Sequence, residues 1–193
     1  MKRFFFALML IAAGFSLAAE DLRPVNAIVI RHDVSFDMTS SSSGIMKASI
    51  KVMVKDKKGL DASVFIVNTD AFKTLTSFSG RIEAGGKVLR KLKMSDLKSQ
   101  LVSDDLATDD RISYYEPSAP YPFTVEYDFE MTYHGGFISF PSFVPISEPD
   151  VSLENASYSL SLPKGTEILY NASAEPVRYD DMVRDVYVWK FDG

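Results

Sequence analysis

An alternating pattern of apolar and polar residues runs without interruption from Phe123 to His134. A period of two places all the apolar side chains on one face of a β-strand and all the polar ones on the other. The polar face carries the carboxylates of Glu126, Asp128 and Glu130, so we expect this face to contact solvent. The aromatic face must then be covered by other parts of the chain.

Similar short apolar runs recur along the chain, separated by turns rich in Gly, Pro, Asp and Ser. In the last of them Val186 and Val188 point to one side of a strand, and Tyr187, Trp189 and Phe191 to the other. The predicted strands beside 123–134 are 27–36, 45–55, 62–68, 75–83, 88–92, 112–116, 137–144, 151–162, 167–170, 177–179 and 185–191.

Turn and helix signals complete the local predictions. Asp56–Gly59 and Ala84–Lys87 are typical of hairpin turns in which Gly supplies a positive φ, and Gly135–Gly136 predicts another tight turn. Pro141 within 137–144 indicates an edge strand or a bulge. The single helical signal is 94–101, where two leucines lie four residues apart on one face after a possible cap at Ser95 or Asp96.

About ten short strands with one short helix predict an antiparallel β-sandwich. The chain of 193 residues shows no internal repeat and no linker that would separate two domains. We therefore expect one β-sandwich domain over residues 20–193.

The N-terminus has the features of a signal peptide. Lys2 and Arg3 precede an apolar segment, Phe4–Phe15, that is shorter than the roughly 20 residues needed to span a bilayer. Ser16–Ala19 offers small residues for cleavage before Glu20. Residues 1–19 are thus predicted to direct export to the periplasm or the extracellular space, the alternative being a retained membrane anchor.

The composition excludes several functional classes. With 0 Cys there is no disulfide, thiol nucleophile, thiolate metal site or lipidated cysteine, a pattern more usual for a bacterial periplasmic protein than for a eukaryotic secreted one. Removing Lys2 and Arg3 from the 21 Lys+Arg leaves 19 against 26 Asp+Glu, a net charge of −7. This balance argues against nucleic acid or an anionic membrane as a partner.

No catalytic residue can be assigned from the sequence. A Ser-His-Asp triad would need one of the 2 His, His32 or His134, beside a nucleophilic serine, and the chain has no Gly-x-Ser-x-Gly elbow. Both histidines are better explained as polar residues on strand faces. We expect the chain not to be an enzyme.

Two acidic clusters could supply oxygen ligands for Ca²⁺. One comprises Asp104, Asp105, Asp109 and Asp110, and the other comprises Asp180, Asp181 and Asp185. Neither matches the Asp-x-Asp-x-Asp-Gly spacing, so solvated acidic loops are the favoured interpretation. No metal and no cofactor are predicted.

Two further patterns have more than one interpretation. Phe137, Phe140 and Phe143 could form an exposed platform for stacking on carbohydrate, although an aromatic core is favoured. The triplets that begin at Asn155 and Asn171 match the N-glycosylation pattern, which is a chance match in a bacterial protein.

Several motifs follow one another along the chain: Gly85-Gly-Lys-Val-Leu89, Tyr115-Glu-Pro117, the strand from Phe123, Phe140-Pro-Ser-Phe-Val-Pro145, Tyr158-Ser-Leu-Ser-Leu-Pro163 with Gly165, and Trp189. This order of features resembles the domain of unknown function 3857, the β-sandwich that precedes transglutaminase-like domains in exported bacterial proteins. The resemblance covers nearly all of the chain after residue 19 and consists of hydrophobic patterns punctuated by Pro and Gly.

The resemblance implies that Phe123–Tyr133 is a central strand of the sandwich and that the domain has no catalytic site of its own. Any chemistry would belong to a Cys-His-Asp centre in a following domain, whereas this chain has 0 Cys and stops at Gly193. We expect either the N-terminal piece of a longer product or a stand-alone relative. The predicted function is a non-catalytic interaction or scaffolding module for a protein, a peptide or a C-terminal transglutaminase-like domain. Alternatives are a carbohydrate- or peptide-binding sandwich, with or without Ca²⁺, and a hydrolase that depends on His32 or His134.

Overall fold

The computed structural model describes residues 25–102, 109–136 and 140–193. Within these ranges the chain is all-β, with strands in two sheets and helix only as three short 3-10 turns, so the predicted all-β class is confirmed. The described residues form twelve strands rather than about ten. They are β1 (Ala27–Ser40), β2 (Ser43–Val54), β3 (Phe65–Thr69), β4 (Lys73–Ala84), β5 (Lys87–Lys93), β6 (Lys98–Leu101), β7 (Arg111–Tyr115), β8 (Phe123–Tyr133), β9 (Val151–Leu153), β10 (Asn155–Pro163), β11 (Val177–Asp180) and β12 (Arg184–Asp192).

The large sheet has the order β11-β12-β10-β1-β2-β8-β4-β5, and β9 also pairs with β1. The small sheet has the order β3-β7-β6. Most neighbours are antiparallel, but β1 runs parallel to both β9 and β10, so the prediction of a purely antiparallel sandwich is wrong at this point. A hairpin forces neighbouring strands to be antiparallel, whereas the long chain segment between β1 and β9 leaves either direction possible.

Strand β8 lies inside the large sheet, between β2 and β4, as expected for the central strand. Its apolar face is buried: Phe123, Val125, Tyr127 and Met131 are each exposed by 4% or less. The alternation along this strand therefore predicted the buried face correctly.

The polar face of β8 is only partly open to solvent. Asp128 is exposed, but the side chain of Glu126 is only 14% exposed. Nη2 of Arg31 on β1 lies 2.7 Å from Oε1 of Glu126, and Nη2 of Arg81 on β4 lies 2.7 Å from Oε2. The two arginines thus neutralise this carboxylate from both sides.

The small sheet covers one half of the inner face of the large sheet. The ring of Phe65 on β3 packs against Phe78, Tyr127 and Phe129, with centroid distances of 4.6, 5.4 and 5.1 Å. The hydroxyl of Tyr127 donates a 2.8 Å hydrogen bond to the carbonyl oxygen of Ser63, just before β3. These contacts join the two sheets into one core.

The predicted hairpin turn at Asp56–Gly59 is wrong. Two 3-10 turns, Lys57–Gly59 and Asp61–Ser63, carry the chain from the large sheet to the small one, so β2 and β3 do not pair. Gly59 does not have a positive φ; it is buried where a Cβ atom would lie 2.2 Å from the carbonyl oxygen of Asn26. Close backbone approach, rather than turn conformation, explains this glycine. By contrast, Gly85 and Gly86 form the predicted tight turn, with φ of 56° and 74°.

The predicted helix over 94–101 is also wrong. Only Met94–Asp96 makes a 3-10 turn, and Lys98–Leu101 continues as β6 paired with β7. The carboxylate of Asp96 accepts hydrogen bonds from the backbone N–H of Lys93 and from Arg90, which stabilises a turn rather than a longer helix. Strand pairing over Lys98–Leu101 then supplies the backbone hydrogen bonds that a helix would have made.

Two predicted strands are absent from the described residues. Residues 140–144 and 167–170 belong to irregular segments, and the 151–162 run is divided into β9 and β10. Residues 1–19, the predicted signal peptide, lie outside the described ranges. Within those ranges no helix is long and apolar enough to cross a membrane.

Candidate binding cavity

The second half of the inner face of the large sheet is covered by irregular chain rather than by a sheet. Residues 140–149 and 164–176 lie over β1, β10 and β12, with Phe143, Ile146 and Ile168 half-buried against the core. Irregular segments pack less completely than regular elements. A cavity of about 930 Å³ lies between them and the sheet.

Aromatic side chains form the floor of this cavity. Phe143 packs against Tyr158 and Phe191 with ring centroids 5.5 and 5.8 Å apart. Trp189 contacts Tyr158 at 5.8 Å and meets the ring of Tyr170 edge-on at 5.4 Å. A concave, largely aromatic site of this size is typical of small-molecule and side-chain pockets.

The polar atoms of the floor are already used within the protein. The hydroxyl of Tyr158 donates to the carbonyl oxygen of Pro141 at 2.9 Å, and burial raises the pKa of this phenol well above its ordinary value. The indole N–H of Trp189 donates to the carbonyl oxygen of Ala174 at 3.1 Å. The floor therefore offers a ligand ring faces and edges rather than free hydrogen-bonding groups.

The rim of the cavity is formed by Glu167–Ser173. Thr166–Ala172 runs without a turn or bend, and Leu169 is fully exposed at 101%. Within the described part of the chain, no backbone hydrogen bond joins residues 167–173 to another backbone group.

The predicted aromatic platform lies partly in this cavity. Phe140 and Phe143 both line it and are half-buried; Phe140 also packs edge-to-face on Phe36 at 5.7 Å. Phe137 lies outside the described residues. The two described phenylalanines are therefore packing residues that also line the cavity. The larger aromatic cluster surrounds Trp189. It includes the residues of β12 that the alternation in the sequence predicted to lie on one face.

The structure does not bring the two histidines into a catalytic arrangement with any described nucleophile. His32 packs edge-on against Phe143 at 4.9 Å, and its Nδ1 lies 3.3 Å from the carbonyl oxygen of Pro145. Burial lowers the pKa of His32, opposed by this hydrogen bond and by nearby Asp33. His134 is exposed at the end of β8, and its backbone N–H donates to the carbonyl oxygen of Phe72.

The structure describes all of the second acidic cluster but only part of the first. Asp104 and Asp105 lie outside the described residues, and Asp109 and Asp110 are exposed. In the second cluster Lys164 Nζ lies 2.5 Å from Asp180 and 2.9 Å from Asp185, which raises the pKa of Lys164 and lowers that of Asp185.

Asp181 of the same cluster has a different role. Its Oδ1 accepts 2.7 Å hydrogen bonds from the backbone N–H groups of Val183 and Arg184. The second cluster is thus held by internal contacts. Across the described ranges, no group of three or more His, Cys, Asp or Glu side chains is placed to hold a metal ion.

A second surface was not foreseen from the sequence. On the outer face of the large sheet, β-register aligns small polar side chains in rows across several strands and leaves a shallow groove of about 400 Å³. Ser157 donates to Asp33 at 2.6 Å, and Ser49 donates to Asp128 at 2.7 Å. Such rows depend on the pairing of distant strands, which no local pattern reveals.

The outer face becomes apolar toward β11. Val177 pairs with Val188, and Tyr179 pairs with Val186, so the four side chains share one face. Val177 and Tyr179 are 53% and 57% exposed, and Met182 and Val183 in the adjoining turn are 96% and 67% exposed. We call the exposed residues Val177, Tyr179, Met182 and Val183 the β11 patch.

A family model described as Domain of Unknown Function with solved-structure structure (DUF3857) matches residues 49–192. No curated protein matches the chain in sequence. The fold is similar to a crystal structure described as a putative protease from Parabacteroides distasonis, with a TM-score of 0.66 and 13% identity over 86% of this chain and 35% of that one. A structure described as a putative nutrient binding protein from Legionella pneumophila matches with a TM-score of 0.41 and 7% identity, over 88% of this chain and 64% of the other. This chain thus spans about a third of the length of the first structure.

Proposed function

The chain belongs to the DUF3857 family, and we propose that it is a non-catalytic, exported β-sandwich module that acts through contacts with another protein or domain. Residues 1–19 would be removed as a signal peptide, leaving the module in the periplasm or outside the cell. The observation that carries this proposal is the β11 patch.

The β11 patch has the properties of a contact surface. Single exposed apolar residues are ordinary on protein surfaces, but a contiguous group is typical of an interaction site. Here Val177 and Tyr179 lie on a strand that ends the large sheet, beside the exposed Met182 and Val183. An uncovered edge strand can also pair with a strand from a partner.

The similarity in fold supports an accessory role. The chain is matched over 86% of its length by a solved structure of which it covers only 35%. We infer that, as in that larger chain, the two-sheet unit accompanies other protein structure, such as a transglutaminase-like domain. Any catalytic chemistry would then belong to the partner.

The state of the histidines favours a non-catalytic module. A general base must reach a substrate proton, whereas the His32 ring packs against Phe143 and Pro145. His134 is the other histidine, and its exchange for Ala is expected to leave any peptidase or esterase activity of a purified preparation unchanged. Loss of a measured activity in that variant would favour the hydrolase alternative.

Site-specific photo-crosslinking in the producing cells tests the interaction proposal. A photoreactive phenylalanine placed at Tyr179 is expected to give one discrete adduct that mass spectrometry identifies as a protein or domain. Leu89 on β5 provides a matched control position because it is 52% exposed, against 57% for Tyr179. No adduct at 179, or the same adducts at both positions, would contradict the proposal.

The aromatic cavity favours a second function, the binding of a carbohydrate or a peptide. Its volume of about 930 Å³ and its aromatic floor carry this alternative. The chain has 1 Trp, and Trp189 lines the cavity, so intrinsic fluorescence reports directly on binding. Titration with glycans and peptides tests this binding function. Repeating each titration with and without Ca²⁺ tests the Ca²⁺-assisted form, in which Asp104–Asp110 would bind the ion.

A further inference from the structure

The rim segment of the aromatic cavity is held at both ends and unpaired between them. The backbone N–H of Thr166 donates to the carbonyl oxygen of Pro163 at 3.1 Å, and the carbonyl oxygen of Ala174 accepts from Trp189. Between these anchors, Glu167–Ser173 makes no backbone–backbone hydrogen bond within the described ranges. Thr166–Ala172 runs without a turn or bend, and the unpaired amide and carbonyl groups of such a stretch can pair with an extended chain.

The cavity beneath this segment suits an apolar group. Phe143, Trp189 and Phe191 contribute ring surface, and the polar atoms of Tyr158 and Trp189 are bound to Pro141 and Ala174. On this floor the hydroxyl groups of a sugar would find no free hydrogen-bonding partner, which is costly for a buried polar group. An aromatic or branched aliphatic side chain would bury its surface at no such cost.

The two features together select one class of ligand. Free backbone groups along the rim match the main chain of a peptide, and the aromatic floor matches a large apolar side chain. A free acyl chain would use the floor but not the rim. A glycan could stack on the floor but has no regular series of backbone donors and acceptors to pair along the rim.

We propose that the cavity binds an extended peptide, which pairs its backbone with Glu167–Ser173 and inserts a Phe or Leu side chain between Phe143 and Trp189. This inference rests on the proposed binding function of the cavity and names its ligand class. It is independent of the β11 patch, which lies on the opposite face of the large sheet.

Trp189 fluorescence, excited at a wavelength that Phe does not absorb, measures the binding of defined probes. The first probe is a capped peptide that alternates Ser and Phe, and the matched probe replaces each Phe by Ala. We expect a saturable change with the Phe peptide, and binding at least tenfold weaker with the Ala peptide. Methylating the backbone nitrogens of the Phe peptide keeps its side chains but removes its donors, and we expect a similar loss.

Two protein variants locate the site. Ala172→Phe adds a ring to the exposed rim segment and is expected to weaken binding of the Phe peptide at least tenfold. Ala71→Phe adds the same bulk in the exposed turn between β3 and β4 and should bind as the wild type does. Circular dichroism of both variants verifies that a loss of binding does not come from unfolding.

The outcomes separate the peptide inference from the binding function. Saturable binding of cellohexaose or decanoate, with none of the Phe peptide, would overturn the peptide inference and leave a binding function in place. Equal binding of the methylated and unmethylated peptides would overturn pairing along the rim. No binding of the Phe peptide, the methylated peptide, cellohexaose or decanoate would overturn the binding function as well.

Discussion

The hydroxyl of Tyr127 connects the two sheets through a single buried hydrogen bond. Tyr127 is 2% exposed, and the carbonyl oxygen of Ser63 accepts from it at 2.8 Å. We predict that Tyr127→Phe lowers the free energy of unfolding by about 1 to 3 kcal/mol, because the Ser63 carbonyl loses a partner in a buried place. Urea denaturation followed by circular dichroism measures the change.

Tyr121→Phe is the matched control for this substitution. Tyr121 packs against Phe123 and is 43% exposed, so removing its hydroxyl leaves no buried group unpaired. It should change stability by less than about 0.5 kcal/mol. Equal effects of the two substitutions would show that the Tyr127 hydrogen bond does not stabilise the joint between the sheets.

The imidazole of His32 should make stability depend on pH. Burial lowers its pKa in the folded state, whereas the unfolded chain binds a proton at about pH 6.5. As the pH falls below that value, the unfolded state binds more protons and the free energy of unfolding decreases. We predict a smaller decrease between about pH 7.5 and pH 5.5 in His32→Gln than in the wild type.

Chemical denaturation at several pH values measures this slope. His134→Gln serves as the control because it removes the other histidine from an exposed position. If His32→Gln retains the wild-type slope, or if His134→Gln loses it, burial of His32 is not the source of the pH dependence.

At the scale of elements, the connection between the sheets depends on Gly59. A Cβ atom there would lie 2.2 Å from the carbonyl oxygen of Asn26, which accepts a hydrogen bond from the N–H of Lys55. We predict that Gly59→Ala destabilises the protein by about 1 to 3 kcal/mol, because the backbone must move apart. Thermal unfolding compares it with Lys58→Ala in the same turn, which should have little effect; similar losses in both would refute close packing as the cause.

Local patterns identified most strands but not how they are connected. Alternation located β8 and its buried face, and Gly85–Gly86 identified a hairpin, because both depend on neighbouring residues alone. Asp56–Gly59 has the composition of a turn whether the chain returns to its own sheet or crosses to the other. Residues 98–101 satisfied a helical spacing, but pairing with β7 supplied their hydrogen bonds instead.

The candidate cavity was only partly predictable for the same reason. The alternation of β12 placed Tyr187, Trp189 and Phe191 on one face, and Phe143 was recognised as an aromatic candidate. Their meeting depends on β10 lying beside β12 and on an irregular rim segment covering both. The sequence indicated a strand at 167–170, where the apolar residues instead form the rim of a cavity.

Across the molecule, the two edge strands of the large sheet differ in how well they are protected against pairing with a strand of another chain. Strand β5 carries Lys87, Arg90, Lys91 and Lys93, and charged side chains oppose pairing with another strand. Strand β11 has the sequence Val-Arg-Tyr-Asp and exposes Val177 and Tyr179 on its outer face. We infer that an isolated chain meets other copies through β11 rather than through β5.

This difference predicts concentration-dependent association of the isolated chain through the β11 patch. The double variant Val177→Lys and Tyr179→Lys should stay monomeric at concentrations where the wild type shows a rising average mass, because two added charges oppose edge pairing. Val88→Lys and Leu89→Lys on β5 make the same charge change at 51% and 52% exposure and should associate as the wild type does. Sedimentation velocity over a hundredfold range of concentration measures the average mass. Equal masses for the two double variants would place the association elsewhere and remove the main support for the β11 patch as a contact surface.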